Sequence, residues 1–154
     1  MVDFLSKSKR SELMGRVRGR NTSIEHIVRK ALHGMGFRFR THASGLPGHP
    51  DIVLPRHRKV VLVHGCFWHG HSACPKGTRM PTTRSAFWKA KIEGNKVRDL
   101  QVRSELRRGG WSVLEIWECQ LRRPQRLLTV LGRFMAKGNV HVERKRGTSH
   151  GKLR

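Results

Sequence analysis

A chain of 154 residues can close one hydrophobic core and is too short for several independent ones. Its 33 Lys and Arg stand against 10 Asp and Glu, a net charge of +23 that repels itself unless a polyanion is close, so composition favours nucleic acid as the partner. The basic residues run from Lys7 to Arg154 rather than along one amphipathic stripe, and no stretch approaches the roughly 18 apolar residues of a membrane span, so a membrane role is disfavoured.

The start, Met1–Glu12, lacks an apolar run of signal-peptide length, and the expected location is the cytoplasm, in association with the nucleoid. Residues 1–20 carry Lys7, Lys9, Arg10, Arg16, Arg18 and Arg20, with Leu13, Met14 and Val17 at helical spacing. They predict a basic arm or helix that packs weakly until DNA is present. The folded domain is expected over 21–136. It opens with Thr22-Ser23-Ile24-Glu25, which matches a capping box, followed by Ile27, Val28, Ala31, Leu32 and Met35 at i, i+3, i+4 spacing and closed by Gly34 and Gly36. Phe37 to Thr41 alternates like a half-buried strand, and Ala43 to Pro50 reads as a Gly/Pro loop. Asp51–Leu54 and Lys59–His64 predict two short strands about a turn, apolar enough for burial on both faces.

Gly65 to Thr83 lacks periodicity and reads as a loop. Arg84 to Arg108 predicts a long basic helix with Phe87, Ile92, Leu100 and Leu106 among its apolar positions, stopping at Gly109-Gly110. Trp111–Trp117 predicts another strand, and Pro124–Met135 a closing helix with Pro in its first turn. The tail, 137–154, is basic, poor in large apolar residues and expected to be disordered. This order predicts an α/β fold with a mixed central sheet flanked by helices.

Chemistry concentrates in two places. An acid on a core strand of so basic a chain is costly unless it is used or paired, which singles out Asp51, just after Pro50. The neighbouring strand ends in His64, and a hairpin would bring the two together. The loop His64-Gly65-Cys66-Phe67-Trp68-His69-Gly70-His71-Ser72-Ala73-Cys74 adds clustered metal-ligand types, and Cys119, at the end of a later strand, is the third cysteine. Cys66, Cys74, Cys119 and either His69 or His71 would make a closed, structural zinc site. A hydrolytic metal would then be separate, and Mg²⁺ on Asp51 suits a phosphodiester, with a histidine moving protons near neutral pH. Phe67-Trp68, adjacent in a polar loop, suits a wedge or stacking platform for bases as well as packing around the metal; Trp88 fits a helix core face, and Trp111 and Trp117 fit the core.

These motifs resemble the very-short-patch mismatch repair endonucleases (Vsr). The resemblance spans residues 10 to 125 and is carried by Thr22-Ser23-Ile24-Glu25, Leu46-Pro47-Gly48 with Pro50-Asp51, and His64-Gly65-Cys66-Phe67-Trp68-His69. It continues through Phe87-Trp88, Asn95, Arg98-Asp99, Gly110-Trp111 and Trp117-Glu118-Cys119. The resemblance implies a restriction-endonuclease-like fold of the PD-(D/E)xK class and Mg²⁺-dependent nicking 5′ of the T in a T:G mismatch left by deaminated 5-methylcytosine. It implies that Asp51 and the Val63 carbonyl hold Mg²⁺. His64 and His69 would be catalytic, with Glu25 supporting His69 and the metal-bound waters. Cys66, His71, Cys74 and Cys119 would hold zinc. Phe67, Trp68 and Trp88 would wedge beside the mismatch, with Met14 touching the other groove. Leu62 and His64 stand where the wider superfamily keeps an acid and a lysine. The partner implied is mismatched duplex DNA, met by a monomer, with other repair proteins following. A restriction-type nuclease without mismatch preference and a non-catalytic zinc-stapled DNA-binding module are the rival readings.

Overall fold

A computed structural model of the chain describes residues 19–138. Met14, residues 1–18 of the expected arm and the tail from 139 lie outside the described residues.

Helix α1 (Ser23–Gly34) begins where the sequence placed its cap. The Thr22 hydroxyl accepts from the Glu25 N–H, and the Glu25 carboxylate accepts from the Thr22 N–H. Val28 and Leu32 form its buried stripe, whereas Ile27, expected on that face, is half-exposed. Residues 37–41 do not form the expected strand. The segment touches the sheet at one bridge, Arg40 to Val53, and the left-handed backbone of His42 then turns the chain away.

Strand β1 (Ile52–Leu54) runs through a tight 3-10 turn at Pro55–His57 into β2 (Lys59–His64). The two pair antiparallel with Ile52 opposite Val61. Short helix α2 (Pro75–Thr78) interrupts the expected loop. Helix α3 (Ser85–Arg108) carries the chain across the sheet, so β3 (Ser112–Trp117) pairs parallel to β2 with His64 beside Trp117. A 3-10 turn (Glu118–Arg122) and helix α4 (Pro124–Ala136) complete the order, and the sheet β1-β2-β3 is mixed, as expected.

Every residue of β1 and β2 is buried because both faces are covered. Ile52, Leu54, Val61, Val63 and Ile116 meet Val28 and Leu32 of α1 and Leu127 and Leu131 of α4. On the other face Val53, Val60 and Leu62 meet Leu106 of α3, with Val102 and Trp111 beside them. Only Ile92 and Leu106 of α3 are buried; the other two apolar positions singled out in the sequence, Phe87 and Leu100, are exposed. Lys59 is also buried. Its ammonium donates to the carbonyls of Met135 (2.9 Å) and Lys137 (2.5 Å), closing the C-terminal end of α4, while burial pulls its pKa down. Among the described residues no helix is long and apolar enough to cross a membrane.

Leu131 is fully buried and Leu128, one position from the same stripe, is 45% exposed. Leu131→Ala is therefore expected to cost about 2–5 kcal/mol and Leu128→Ala less than about 1 kcal/mol, read from urea midpoints. Equal shifts would contradict this packing.

Candidate active site and cysteine cluster

The end of β2 opens into a cleft of about 640 Å³ whose walls include Glu25, Asp51, Val63, His64, Phe67, Trp68, His69 and Asp99. The hairpin register puts Asp51, one residue ahead of β1, beside the last residues of β2. Its Oδ2 accepts a 2.8 Å hydrogen bond from the Val63 N–H. Burial raises the Asp51 pKa above its ordinary value; the Val63 N–H opposes the rise and the nearby Glu25 charge adds to it. Asp51 and His64 thus meet at one sheet end, as the hairpin reading anticipated.

Each of the two histidines faces a carboxylate that the sequence reading assigned no role. His69 Nδ1 lies 2.5 Å from Asp99 Oδ2 on α3. His64 is buried, with Nε2 3.5 Å from Glu115 Oε1 on β3, and its ring lies tilted at 46° against His69 with centroids 4.2 Å apart. Arg103 donates to the other Glu115 oxygen at 2.6 Å. His64 and then Arg103 hold the Glu115 carboxyl down to about 2, against the opposing effect of burial. Asn95 on α3 fixes the loop by donating to the Trp68 carbonyl at 2.8 Å.

Glu25 is 3% exposed, and both its oxygens are engaged. Oε1 accepts from the Thr22 N–H (3.2 Å) and hydroxyl (2.9 Å), and Oε2 from the Asn21 N–H (3.1 Å) and Arg29 (2.5 Å), with His42 Nε2 at 3.3 Å. Asn21 and His42 adopt left-handed backbone to reach this position. The support of His69 expected from Glu25 is therefore not a direct hydrogen bond, since the carboxylate bonded to His69 is Asp99. Glu25, His42 and Asp51 nonetheless place ligand atoms within 4.8 Å of one another.

A second cluster lies across the loop. Ligand atoms of Cys66, His71, Cys74 and Cys119 fall within 4.8 Å of one another, and it is His71, not His69, that joins the thiols. His71 Nδ1 is 3.6 Å from Cys66 Sγ and 3.5 Å from Cys119 Sγ. The His71 ring stacks flat on Trp117 with centroids 4.2 Å apart. Burial, helped by neighbouring thiols, pushes the Cys66 thiol up to about 12. Gly77 of α2 packs so closely on the His71 backbone that a Cβ there would sit 2.2 Å from its carbonyl oxygen.

Phe67, Trp68 and Trp88 form an edge-to-face cluster, with pairwise centroid distances of 5.3, 5.5 and 5.8 Å. Phe67 and Trp68 line the cleft. Phe87, 47% exposed, extends the cluster at 5.3 Å from Trp88. Trp111 packs against the second core face beneath Arg58, as expected of a structural residue.

The depressed Glu115 carboxyl makes a stability prediction. A folded-state pKa of about 2 against an ordinary 4.5 contributes stability that is complete above about pH 4.5 and is lost as pH falls toward 2. Glu115→Gln should melt lower than the parent at neutral pH, and the gap should close as pH falls through that window; a gap independent of pH would contradict the pairing.

Residues 2–75 match the family model described as DNA mismatch endonuclease Vsr. The type II nicking enzyme V.XorIIP of Xanthomonas oryzae pv. oryzae is 48% identical over 121 residues, covering 79% of this chain and 88% of that protein. The type II nicking enzyme V.NmeAIP of Neisseria meningitidis serogroup A is 43% identical over 79% of this chain and 86% of its own length. The DNA mismatch endonuclease Vsr of Escherichia coli is 41% identical over 127 residues, 82% of this chain and 80% of the relative. With relatives this similar aligned along most of their length, and the HGCFWH run at the mouth of the cleft, the chain belongs to the Vsr family of DNA mismatch endonucleases.

Proposed function

We propose that this chain is a Mg²⁺-dependent endonuclease that nicks duplex DNA 5′ of the T in a T:G mismatch, working in the bacterial cytoplasm as a monomer on a restriction-endonuclease-like fold of the PD-(D/E)xK class. One observation carries the reading: a half-buried carboxylate, Asp51, lines the same open cleft as the paired histidines His64 and His69 in a family member. In a chain of net charge +23, Glu25, Asp99, Glu115 and Glu118 each contact a cationic or histidine side chain, whereas the hydrogen bond to Asp51 among the described residues comes from a backbone N–H. An oxygen donor left facing a solvent-filled cleft suits a hard divalent cation, with Asp51 and the Val63 carbonyl as the residues that would hold it. Bound there, Mg²⁺ supplies neutralisation of charge on the scissile phosphate.

The protein's own groups do the remainder. Asp99 keeps a proton on His69 Nδ1, which leaves Nε2 as the basic atom able to take a proton from water. Glu115 places a carboxylate 3.5 Å from His64 Nε2, close enough to favour a proton there, while the ring packs against His69 for a contact with the phosphate or its water shell. Glu25, tied down by four donated hydrogen bonds, acts as a fixed negative charge beside Asp51. Phe67, Trp68 and Trp88 form a rigid aromatic wedge, and opening the stack costs least where pairing is poor. Met14 would add a contact from the other groove, and further repair proteins would act on the nick.

The zinc reading rests on donor chemistry and spacing. Bonds of about 2.3 Å to sulfur and about 2.0 Å to nitrogen give a tetrahedron whose edges are about 3.5–3.8 Å. The observed 3.5 and 3.6 Å between His71 Nδ1 and two thiols match those edges. Such a site would be closed and structural, tying the loop to the end of β3.

The decisive assay compares nicking of a T:G duplex with nicking of its fully paired counterpart across a Mg²⁺ titration; equal rates would overturn the mismatch assignment. Asp51→Asn should lower nicking by more than about 100-fold, beyond what an outer-shell change costs. Because it replaces a half-buried charge that desolvation disfavours with an amide that can still accept from Val63, it should also raise the melting temperature of the metal-free protein at pH 7. Cys66→Ser should lower bound zinc, measured by elemental analysis, together with thermal stability.

A further inference from the structure

We infer that a basic groove beside the cysteine cluster is a second track for the DNA backbone, holding phosphates of the duplex that continues out of the cleft. The inference rests on the proposed action on DNA and adds the surface that grips the duplex away from the reacting bond.

The groove, about 1660 Å³, runs past Cys66 and Cys119 to the start of α4. Lys76 and Arg79 project from and just beyond α2 on one side; Arg122, Arg123 and Arg126 come from the end of the 3-10 turn and the first turn of α4. All five side chains are exposed. The one carboxylate in the lining, Glu118, is already bonded to Lys76 and to the Cys66 N–H. Among the described residues no carboxylate pairs with any of the four arginines. Segments distant in sequence are thus brought together with like charges sharing one groove, an arrangement that costs repulsion until a polyanion fills it.

Two features favour a nucleic-acid backbone over an acidic protein. First, the groove is continuous with the cleft, since Phe67, Lys76 and Glu118 line both, so a strand lying in the cleft leads directly into it. Second, four of the five cations are arginines, whose planar fork suits phosphate oxygens. Between them the lining mixes apolar Met80, Pro81 and Ala73 with short hydroxyls at Thr82 and Thr83 and the amide of Gln120, groups that serve phosphate oxygens as well as bases, so the charge of the five cations dominates the groove. With five cations against one engaged carboxylate, the groove suits phosphate positioning.

The test measures affinity of the full chain for paired duplex at several salt concentrations, without added divalent cation. The triple variant Arg122→Ala/Arg123→Ala/Arg126→Ala should lower the slope of log affinity against log salt by about 2–3, at about 0.9 for each phosphate that is no longer neutralised. A control triple at the opposite end of the sheet, Arg56→Ala/Arg107→Ala/Arg108→Ala, removes the same charge and should leave the slope within about 1 of the parent. Trimming the duplex on the groove side should bring the parent's affinity down to that of the groove variant. Equal slopes for both triples, or an unchanged slope in the groove variant, would overturn the inference. Melting temperature and zinc content of each variant report folding. Nicking of a T:G duplex is scored separately, so a chain that binds as described but does not nick would sink the proposed activity and leave the groove standing.

Discussion

The register of the β1–β2 hairpin is the constraint on which the rest depends. Pairing Ile52 with Val61 puts Asp51 within reach of the Val63 N–H and ends β2 with His64 at the same edge. A slip of one residue would turn every side chain of β1 to the other face. It would also break two cores at once, because Ile52 and Leu54 pack on α1 and α4 while Val53 packs toward α3. The hydrophobic cost of misregister is what guarantees the position of a carboxylate that burial itself disfavours.

Around that carboxylate the protein distributes its few other acids by function. Asp99 bonds His69, Glu115 lies 3.5 Å from His64 Nε2, Glu25 is immobilised by its cap and by Arg29, and Glu118 joins Lys76 to the cysteine loop. Two elements converge on the histidines: α3 supplies Asp99, Asn95 and Arg103, and β3 supplies Glu115. Helix α3 thus buries little of its own surface and instead serves as a bracket for the cleft. Its weak amphipathicity and its polar inventory have the same explanation.

How much of this was legible in the sequence follows from the range of each interaction. The α1 cap was readable because Thr22 and Glu25 are three residues apart, and the hairpin because its strands and turn are contiguous. The loop-borne group of Cys66, His71 and Cys74 was readable for the same reason; the choice of His71 over His69 came from resemblance before geometry placed it among the thiols. Asp99 and Glu115 could be given no role, since their partners lie 30 and 51 residues earlier and no periodicity links them. Phe37 to Thr41 failed as a strand because the alternation reports a half-buried segment, and a single bridge next to left-handed His42 produces the same pattern. Which apolar positions of α3 are buried was not legible, because a helix with so few buried positions gives periodicity little to report, and Phe87 and Leu100 are exposed while Ile92 and Leu106 are not.

The parallel pairing of β2 with β3 has a consequence for the order in which the molecule can form. Lys59 pairs with Ser112, so closing this ladder means bringing together residues separated by the whole of α3, whereas the hairpin closes locally. During synthesis the hairpin and its Asp51 leave the ribosome first, yet Glu115, Trp117 and Cys119 emerge only after α3 is complete. Until then His64 has no Glu115, His71 has no Trp117 to lie on, and the cysteine group lacks its fourth member. A nascent chain, basic enough to meet nucleic acid early, therefore cannot hold a finished cleft before its last strand docks. Maturation of the site is a single late event that coincides with closure of the core.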